Sequence, residues 1–175
     1  KVVLDGIVNL EHYDWGVSEG TSKPSGPQGG IGIGNFPDVR SFSHNEDGNR
    51  VVIFRLLNIL DKYQVIPTIA MDATAAKNYP YLVQECQKRG ADFIAHGISR
   101  RRFINSRRSE DEESQYVKDS IEALTNATGK RPVGWLGSEY AETMRTPSIL
   151  ASMGIQYVCD WPNDEQPYPM TISSG

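Results

Sequence analysis

Residues 65–97, VIPTIAMDATAAKNYPYLVQECQKRGADFIAHG, contain the strand–helix–strand pattern that decides the fold. Residues 65–70 are rich in β-branched side chains and predict a strand, and residues 92–95 predict a second one. Between them, residues 79–89 have helical spacing, and Gly90 stands where a left-handed residue ends a helix. This order predicts a parallel βαβ unit with a right-handed crossover.

Upstream of this unit the pattern changes twice. Apolar residues near the start of the chain predict a strand over 5–11. Residues 16–48 are rich in Gly, Pro, Ser and Asn and lack periodicity, so we predict a long loop, and loops of this length are often functional. From Asn49 onward, apolar residues recur at helical spacing. The members of this predicted stripe are Val51, Val52, Leu56, Ile59, Leu60 and Tyr63.

A capping signal marks the next helix downstream. Ser109 and Glu112 have the spacing of a capping box, in which each residue bonds the backbone of the other. The helix that they begin should end at Gly129, which can adopt the left-handed conformation.

The last predicted helix lies between two strands. Apolar runs at 132–136 and 155–159 predict these strands. Thr146 is the predicted N-cap and Pro147 the first residue of the helix between them, which should end at Gly154.

Five predicted strands thus alternate with four connections, three or four of them helical. This alternation predicts an α/β fold with parallel strands, either an open doubly wound sheet or a partial (β/α) barrel. The length of 175 residues suits one domain, spanning 1–175.

Composition excludes several classes of protein. The net charge of −4 argues against a general nucleic-acid binder, which needs a basic surface. No apolar run approaches the roughly 20 residues of a membrane-spanning helix. Cys86 and Cys159 are too few for a disulfide framework, so we expect reduced thiols in a cytoplasmic protein. Because the chain begins without Met and stops abruptly at Gly175, we expect a piece of a longer chain.

Functional residues of parallel α/β folds lie at the carboxyl ends of the strands. Polar and aromatic residues follow all five predicted strands, and their convergence predicts a site on that rim. Glu11 and His96 are the candidate catalytic residues. The candidate substrate-binding residues are Asp14, Trp135, Glu139, Asp160, Trp161 and Asp164.

Each candidate also has a purely structural interpretation. His96 is equally well explained as a packed or capping histidine, and Trp135 and Trp161 as core residues instead of a stacking wall for a ligand. Glu11 is either a surface carboxylate or a general base. Its apolar and aromatic neighbours predict a pKa raised toward the range of a general base.

Two further patterns carry weaker functional signals. The glycine-rich run at 29–34 does not follow a strand and lacks the spacing of a dinucleotide loop. It is the one feature that favours a nucleotide-binding protein, which makes that function a weak alternative. The arginines at 100–102 and 107–108 are interpreted as a solvated face opposite the acidic run at 110–113, with an anionic ligand as the alternative.

Four motifs follow one another along the chain. They are an acid after strand one, His96-Gly97 after strand three, Arg131-Pro132-x-Gly134-Trp135 at strand four, and Asp160-Trp161-x-x-Asp164-x-x-Pro167-Tyr168 after strand five. This order resembles the polysaccharide deacetylase superfamily of NodB-type carbohydrate esterases, and within it the allantoinase-like branch. The segments at 38–44 and 48–51 also resemble this branch, and the resemblance covers about residues 5–170.

The resemblance implies a deformed (β/α)7 barrel, incomplete here at the C-terminus, that hydrolyses a C–N amide bond. Metal-dependent members have an Asp-Asp pair after strand one and His-x-x-x-His after strand three. In this sequence, Leu10-Glu11 occupies the place of the Asp-Asp pair, and Arg100 occupies the place of the second histidine. Arginine is always protonated and cannot bind a metal. We therefore predict no cofactor, and a divalent metal such as zinc remains the alternative.

Two functions of different classes follow from the resemblance. The first is a hydrolase for a sugar N-acetyl group or a cyclic ureide such as allantoin, acting in carbohydrate metabolism or ureide breakdown. The alternative is a non-catalytic relative that binds a carbohydrate or a ureide and has lost the metal site. In both cases we expect a small-molecule or carbohydrate partner, no nucleic acid, no membrane, and a homo-oligomer.

Overall fold

The computed structural model describes residues 6–15, 39–162 and 166–172. Five short parallel strands form one sheet in the order β1-β2-β3-β4-β5. Because neighbours in the sheet are also neighbours in sequence, the chain advances in one direction, as in a barrel, whereas a doubly wound sheet reverses its order. The partial barrel is therefore confirmed. The strands are β1 Ile7–Leu10, β2 Thr68–Met71, β3 Asp92–Ala95, β4 Gly134–Trp135 and β5 Tyr157–Val158.

Helices fill all four connections between the strands. Within the described residues, two α-helices lie between β1 and β2, two between β2 and β3, and one in each later connection. A π-helical segment, Gly48–Val52, joins the first two. The helices are α1 Val39–Asp47, α2 Ile53–Lys62, α3 Ala73–Asn78, α4 Pro80–Lys88, α5 Glu110–Thr128 and α6 Thr146–Ser152.

The hydrophobic core lies between the strands and the helices. Strand residues Ile69, Met71 and Trp135 are fully buried in it. Leu57 of α2 and Leu124 of α5 pack into the same core from the helix layer. Burial of side chains of this size stabilises the fold by roughly 1.5–3 kcal/mol each relative to exposure.

The capping box of α5 is confirmed. The Ser109 hydroxyl accepts from the Glu112 backbone N–H at 3.2 Å, and the Glu112 carboxylate accepts from the Ser109 N–H at 2.7 Å. At the other end, Gly129 has a φ of 73°, which is the left-handed conformation expected of it.

The predicted loop over 16–48 is wrong at its C-terminal end. Residues 39–47 form α1 instead of continuing the loop, while residues 16–38 lie outside the described residues. The glycine-rich run at 29–34 falls in that range. Helix α1 escaped prediction because its polar sequence offers few apolar positions to reveal a helical period.

The apolar stripe predicted from Asn49 onward is wrong in phase. Val52, Ile59 and Tyr63 are exposed, whereas Ile53 and Leu57 face the core. Helical spacing alone does not say which face of a helix is buried, and packing in the core selects the face that carries Ile53 and Leu57.

Smaller differences concern single turns. Helix α3 was not predicted, and its N-cap is Asp72, whose carboxylate accepts from the Ala75 N–H at 2.6 Å. Arg145 occupies the N-cap position of α6, so Thr146 is its first residue instead of its cap. Within the described ranges, no helix has the length and apolar character needed to cross a membrane.

Candidate functional site

The register of the sheet brings the carboxyl ends of the strands to one level. Leu10 pairs with Met71, Met71 with Ala95, Ala95 with Trp135, and Trp135 with Val158. The residues that directly follow these five therefore line one rim, as the strand-end rule predicts.

Glu11 and His96 meet on this rim. Glu11 Oε1 lies 3.1 Å from His96 Nε2, although 85 positions separate the two residues in sequence. The imidazole is buried, with about 2% of its side chain exposed, whereas 19% of the Glu11 side chain is exposed. The structure thus brings the two candidate catalytic residues together, with the carboxylate on the accessible side.

The hydrogen bond of the other imidazole nitrogen, Nδ1, determines where the proton between His96 and Glu11 can lie. His96 Nδ1 is hydrogen-bonded to the carbonyl oxygen of Leu136, which follows β4. A carbonyl can only accept, so Nδ1 carries a hydrogen. A hydrogen bond between Nε2 and Glu11 then requires one more proton, held either by the imidazole or by the carboxyl group.

The charge of Glu11 is stabilised by its neighbours. Burial alone would raise the pKa of Glu11, but the hydrogen bond to His96 and the positive charges of His96 and Arg100 outweigh it and lower the pKa below its ordinary value. The expectation of a raised pKa was therefore wrong, because sequence neighbours gave no sign of the cations that packing brings in.

Arg100 is the cation that the sequence analysis did not assign to the site. Its Nε lies 3.9 Å from Glu11 Oε2 and donates to Glu139 Oε1 at 3.3 Å. Its Nη1 donates to Asn45 Oδ1 at 3.0 Å. Arg100 thus joins α1 to the ends of β1 and β4, and its place at the second histidine of the family motif was the sequence signal for a role at the rim.

Glu139 reaches Arg100 from a strained turn. The short 3-10 turn Ser138–Tyr140 holds Glu139 at a φ of 60° and Tyr140 at a φ of 55°. Non-glycine residues in this region are strained, and such strain tends to occur at functional sites. The hydroxyl of Ser138 donates to the His96 carbonyl at 2.7 Å, which anchors the turn to β3.

Asp72 is a buried carboxylate that the candidate set omitted. It follows β2, caps α3, and accepts from the His12 N–H at 2.6 Å. Burial raises the pKa of Asp72 well above its ordinary value, and the charges of Glu11 and Asp14 add to this, while the two backbone N–H donors oppose it. Asp72 therefore connects the rim segment after β1 to the segment after β2.

Two of the proposed substrate-binding residues are engaged in contacts within the chain. Asp14 Oδ2 accepts from the Ser99 hydroxyl at 2.5 Å, and its Oδ1 lies 4.0 Å from Arg102. Trp135 is fully buried and meets Tyr116 edge to face at 6.5 Å between ring centroids. The position of Trp135 matches its core-packing interpretation.

The residues after β5 contact the residues after β4. Asp160 is buried, and its Oδ1 accepts from the Gly137 N–H at 2.7 Å. Trp161 is about half exposed, and its indole N–H donates to Glu142 at 2.9 Å. Asp164 lies outside the described residues.

The donor set on the rim does not fit a divalent metal. Among the described residues there is no group of three His, Cys, Asp or Glu side chains that could hold one. Glu11 and His96 offer two donors, one short of the three that catalytic zinc sites usually have. The guanidinium of Arg100, whose Nε lies 3.9 Å from Glu11 Oε2, carries a positive charge that repels cations.

Solved structures share this fold. A structure described as a polysaccharide deacetylase from Mycobacterium smegmatis is 27% identical, with a TM-score of 0.71 over 78% of this chain and 47% of that one. PuuE allantoinase is 23% identical, with a TM-score of 0.75 over 94% of this chain and 55% of that one. A polysaccharide deacetylase structure from Pseudomonas aeruginosa PAO1 is 22% identical, with a TM-score of 0.76 and the same coverage.

The present chain spans about half the length of these solved structures. No curated protein matches it. A family model described as polysaccharide deacetylase matches residues 43–158, which is well over half of the chain and includes His96, Arg100 and Trp135. The chain belongs to the polysaccharide deacetylase family.

Proposed function

We propose that the protein hydrolyses a non-peptide C–N amide bond, either an N-acetyl group on a sugar or a bond of a cyclic ureide such as allantoin. The observation that carries the proposal is the contact of 3.1 Å between Glu11 and His96, with Nδ1 of the imidazole fixed by Leu136. An acid and a base held together at an accessible rim are what amide hydrolysis requires.

In the proposed reaction the two residues exchange one proton with water and substrate. The Glu11 carboxylate accepts a proton from water as the water oxygen bonds to the amide carbon. His96 donates its Nε2 proton to the leaving nitrogen as the C–N bond breaks. The proton on Glu11 then returns to Nε2, so the products are a carboxylic acid and an amine and the pair is restored.

The positive charge of Arg100 stabilises two negative charges in the proposed reaction. Its positive charge, 3.9 Å from Glu11, favours the ionised carboxylate that must accept a proton. The same charge favours the negative oxygen that develops on the amide carbon when water adds. The burial of His96 limits its exchange of protons with bulk water.

The test is an assay of the full-length protein on N-acetylated sugar oligomers and on allantoin-like ureides, with and without a chelator. We expect turnover of one substrate class, a loss of at least about 100-fold in Glu11→Gln and in His96→Ala, and wild-type rates in the exposed control Glu122→Gln. Unchanged activity in both site variants would overturn the assigned roles. Ligand binding without turnover would support the non-catalytic alternative.

A further inference from the structure

Three buried polar atoms lie between the segments that follow β4 and β5, and none makes a hydrogen bond of good geometry. They are Nε1 of Trp135, Oδ2 of Asp160 and Oε1 of Glu142. Buried polar atoms without a partner are uncommon in folded proteins, so three in one place call for a physical explanation.

The contact between the two carboxyl groups explains why an oxygen of each lacks a hydrogen-bond donor. The Asp160 and Glu142 side chains are in hydrogen-bond contact, but two ionised carboxylates can only accept, so neither satisfies the other. One proton between them converts the contact into a hydrogen bond. In the described part of the chain, no Arg or Lys forms an ion pair with either group, so repulsion between two negative charges would remain uncompensated.

The surroundings of the pair favour the protonated form. Burial, followed by the hydrogen bond and the charge of Glu142, raises the pKa of Asp160 to about 8, while the Gly137 N–H and the indole of Trp135 oppose the rise. The groups that face Asp160 are thus Glu142 from the β4–α6 connection, the neutral indole from β4, and one backbone N–H. Glu142 in turn accepts from the indole N–H of Trp161.

The pair closes both ends of a turn. Asp160 Oδ1 accepts from the N–H of Gly137 at 2.7 Å, where the turn begins, and the Asp160 carboxyl group contacts Glu142, where the turn ends. Gly137 allows this approach, because a Cβ there would lie 2.9 Å from Asp160 Oδ2 and 3.3 Å from Trp135 Nε1. We call residues 137–142, closed in this way, the β4 turn.

The β4 turn carries Glu139 to the candidate site. Glu139 and Tyr140 both have a left-handed backbone, which isolated residues of these types avoid. The surrounding contacts must therefore hold the turn in place, and the bonds from Asp160 are among them. Glu139 then accepts from Arg100 at 3.3 Å, next to Glu11.

We propose that Asp160 and Glu142 share one proton and together act as a positioning pair that keeps the β4 turn closed and Glu139 against Arg100. Loss of the proton leaves two negative charges in contact, one on the buried Asp160 and one on the half-buried Glu142. Their repulsion separates the end of the β4 turn from Asp160 and frees Glu139 from Arg100. The roles of Asp160 and Glu142 are thus in positioning, and neither has to touch the substrate.

The direct test is a pH titration of the Trp135 indole N–H by NMR, with Trp15→Phe and Trp161→Phe used to assign the resonances. In the wild-type protein we expect the Trp135 resonance to shift with a midpoint of about 8, as the adjacent pair loses its proton. Absence of any shift between about pH 6 and about pH 10 would overturn the proposal.

Two conservative variants separate the pair from other causes. In Asp160→Asn, the amide oxygen still accepts from Gly137 and the amide N–H₂ donates permanently to Glu142, so the transition should disappear. In Glu142→Gln, the neighbouring negative charge is gone, so the midpoint should fall by at least about one pH unit. The exposed Glu122→Gln serves as the control and should keep the wild-type midpoint. An unchanged transition in both pair variants would contradict the proposal.

An activity measurement adds a second arm that rests on the proposed function. The kcat/KM of the wild-type protein should fall above a pH of about 8, and Asp160→Asn should lose this alkaline decline. A protein without turnover on any substrate would refute the proposed function and leave the NMR titration to decide on the shared proton. An alkaline decline that is identical in Asp160→Asn would contradict the positioning role.

Discussion

At the scale of single residues, one carbonyl determines the chemistry of the rim. Because Leu136 accepts from Nδ1 of His96, only Nε2 is left to face Glu11, and the pair shares a single exchangeable proton. Free rotation of the imidazole would lose this arrangement. In the proposed reaction, the bond to Leu136 would orient His96 in the way that a third group orients the base of a catalytic triad.

Glu11 predicts a specific dependence of stability on pH. Its pKa is lower in the folded protein than in the unfolded chain, so its contribution to stability is present above its ordinary pKa and is lost as the pH falls through the lowered value. We expect the melting temperature of Glu11→Gln to fall less than that of the wild-type protein between about pH 5 and about pH 3. Glu122→Gln, measured by the same thermal unfolding, should follow the wild type, and parallel curves for all three would contradict this origin.

Gly137 predicts a steric effect. In Gly137→Ala the new methyl group would lie 2.9 Å from Asp160 Oδ2 and 3.1 Å from the Ala141 carbonyl, so we expect a loss of about 1–3 kcal/mol in the free energy of unfolding. Gly6→Ala is the matched control, because Gly6 also lies outside the helices and its added Cβ would meet nothing within 4 Å beyond its chain neighbours. Urea denaturation of both variants checks this, and a Gly137→Ala protein as stable as the control would refute the crowding.

At the scale of elements, helix α5 depends on its N-terminal cap. The hydroxyl of Ser109 satisfies the N–H of Glu112, which no helical carbonyl can reach. Ser109→Ala should lower the free energy of unfolding by about 1 kcal/mol in urea denaturation. Ser106→Ala, in the exposed loop before the helix, should change it by less than about 0.5 kcal/mol, and equal effects of the two substitutions would show that the cap is not responsible.

The elements that the sequence revealed are those with local signals. Helix α5 has a capping box at one end and a glycine at the other, and β3 was predicted at its observed bounds because a short apolar run lies between turn residues. Helix α3 is too short to show a period, and the buried face of α2 differs from the one that its apolar spacing indicated. Local patterns cannot report such features, because packing selects them.

The candidate site was predictable to the same degree. The strand-end rule brought Glu11 and His96 to one rim without any knowledge of their contact. The roles of Arg100 and Asp72 depend on partners in other connections, and the burial of Trp135 and Asp160 depends on how the segments after β4 and β5 pack. Such long-range contacts produce no recognisable pattern in the sequence.

At the scale of the whole molecule, the one-directional sheet explains why residues far apart in sequence meet. Each connection returns the chain to the next strand at the same level, so Glu11, Asp72 and His96 lie side by side. The rim is thus a consequence of topology, and the loops that follow the strands supply its chemistry.

Homo-oligomerisation stays a prediction at this scale. Several large apolar side chains are exposed on the described part of the chain, among them Val52, Ile59 and Ile66, and a contact with a second copy would bury them. Multi-angle light scattering of the full-length protein should give a mass that is a multiple of the monomer mass. A monomer at all concentrations would contradict this prediction.

The most direct test of the central claim is a double-mutant cycle on the pair of Glu11 and His96. We expect kcat/KM for the preferred amide substrate to fall at least about 100-fold in Glu11→Gln and in His96→Ala, and the double variant to be little worse than either single one, because the two residues act on one shared proton. Losses that simply multiply in the double variant, or wild-type activity in either single variant, would contradict the claim that Glu11 and His96 work as one catalytic pair.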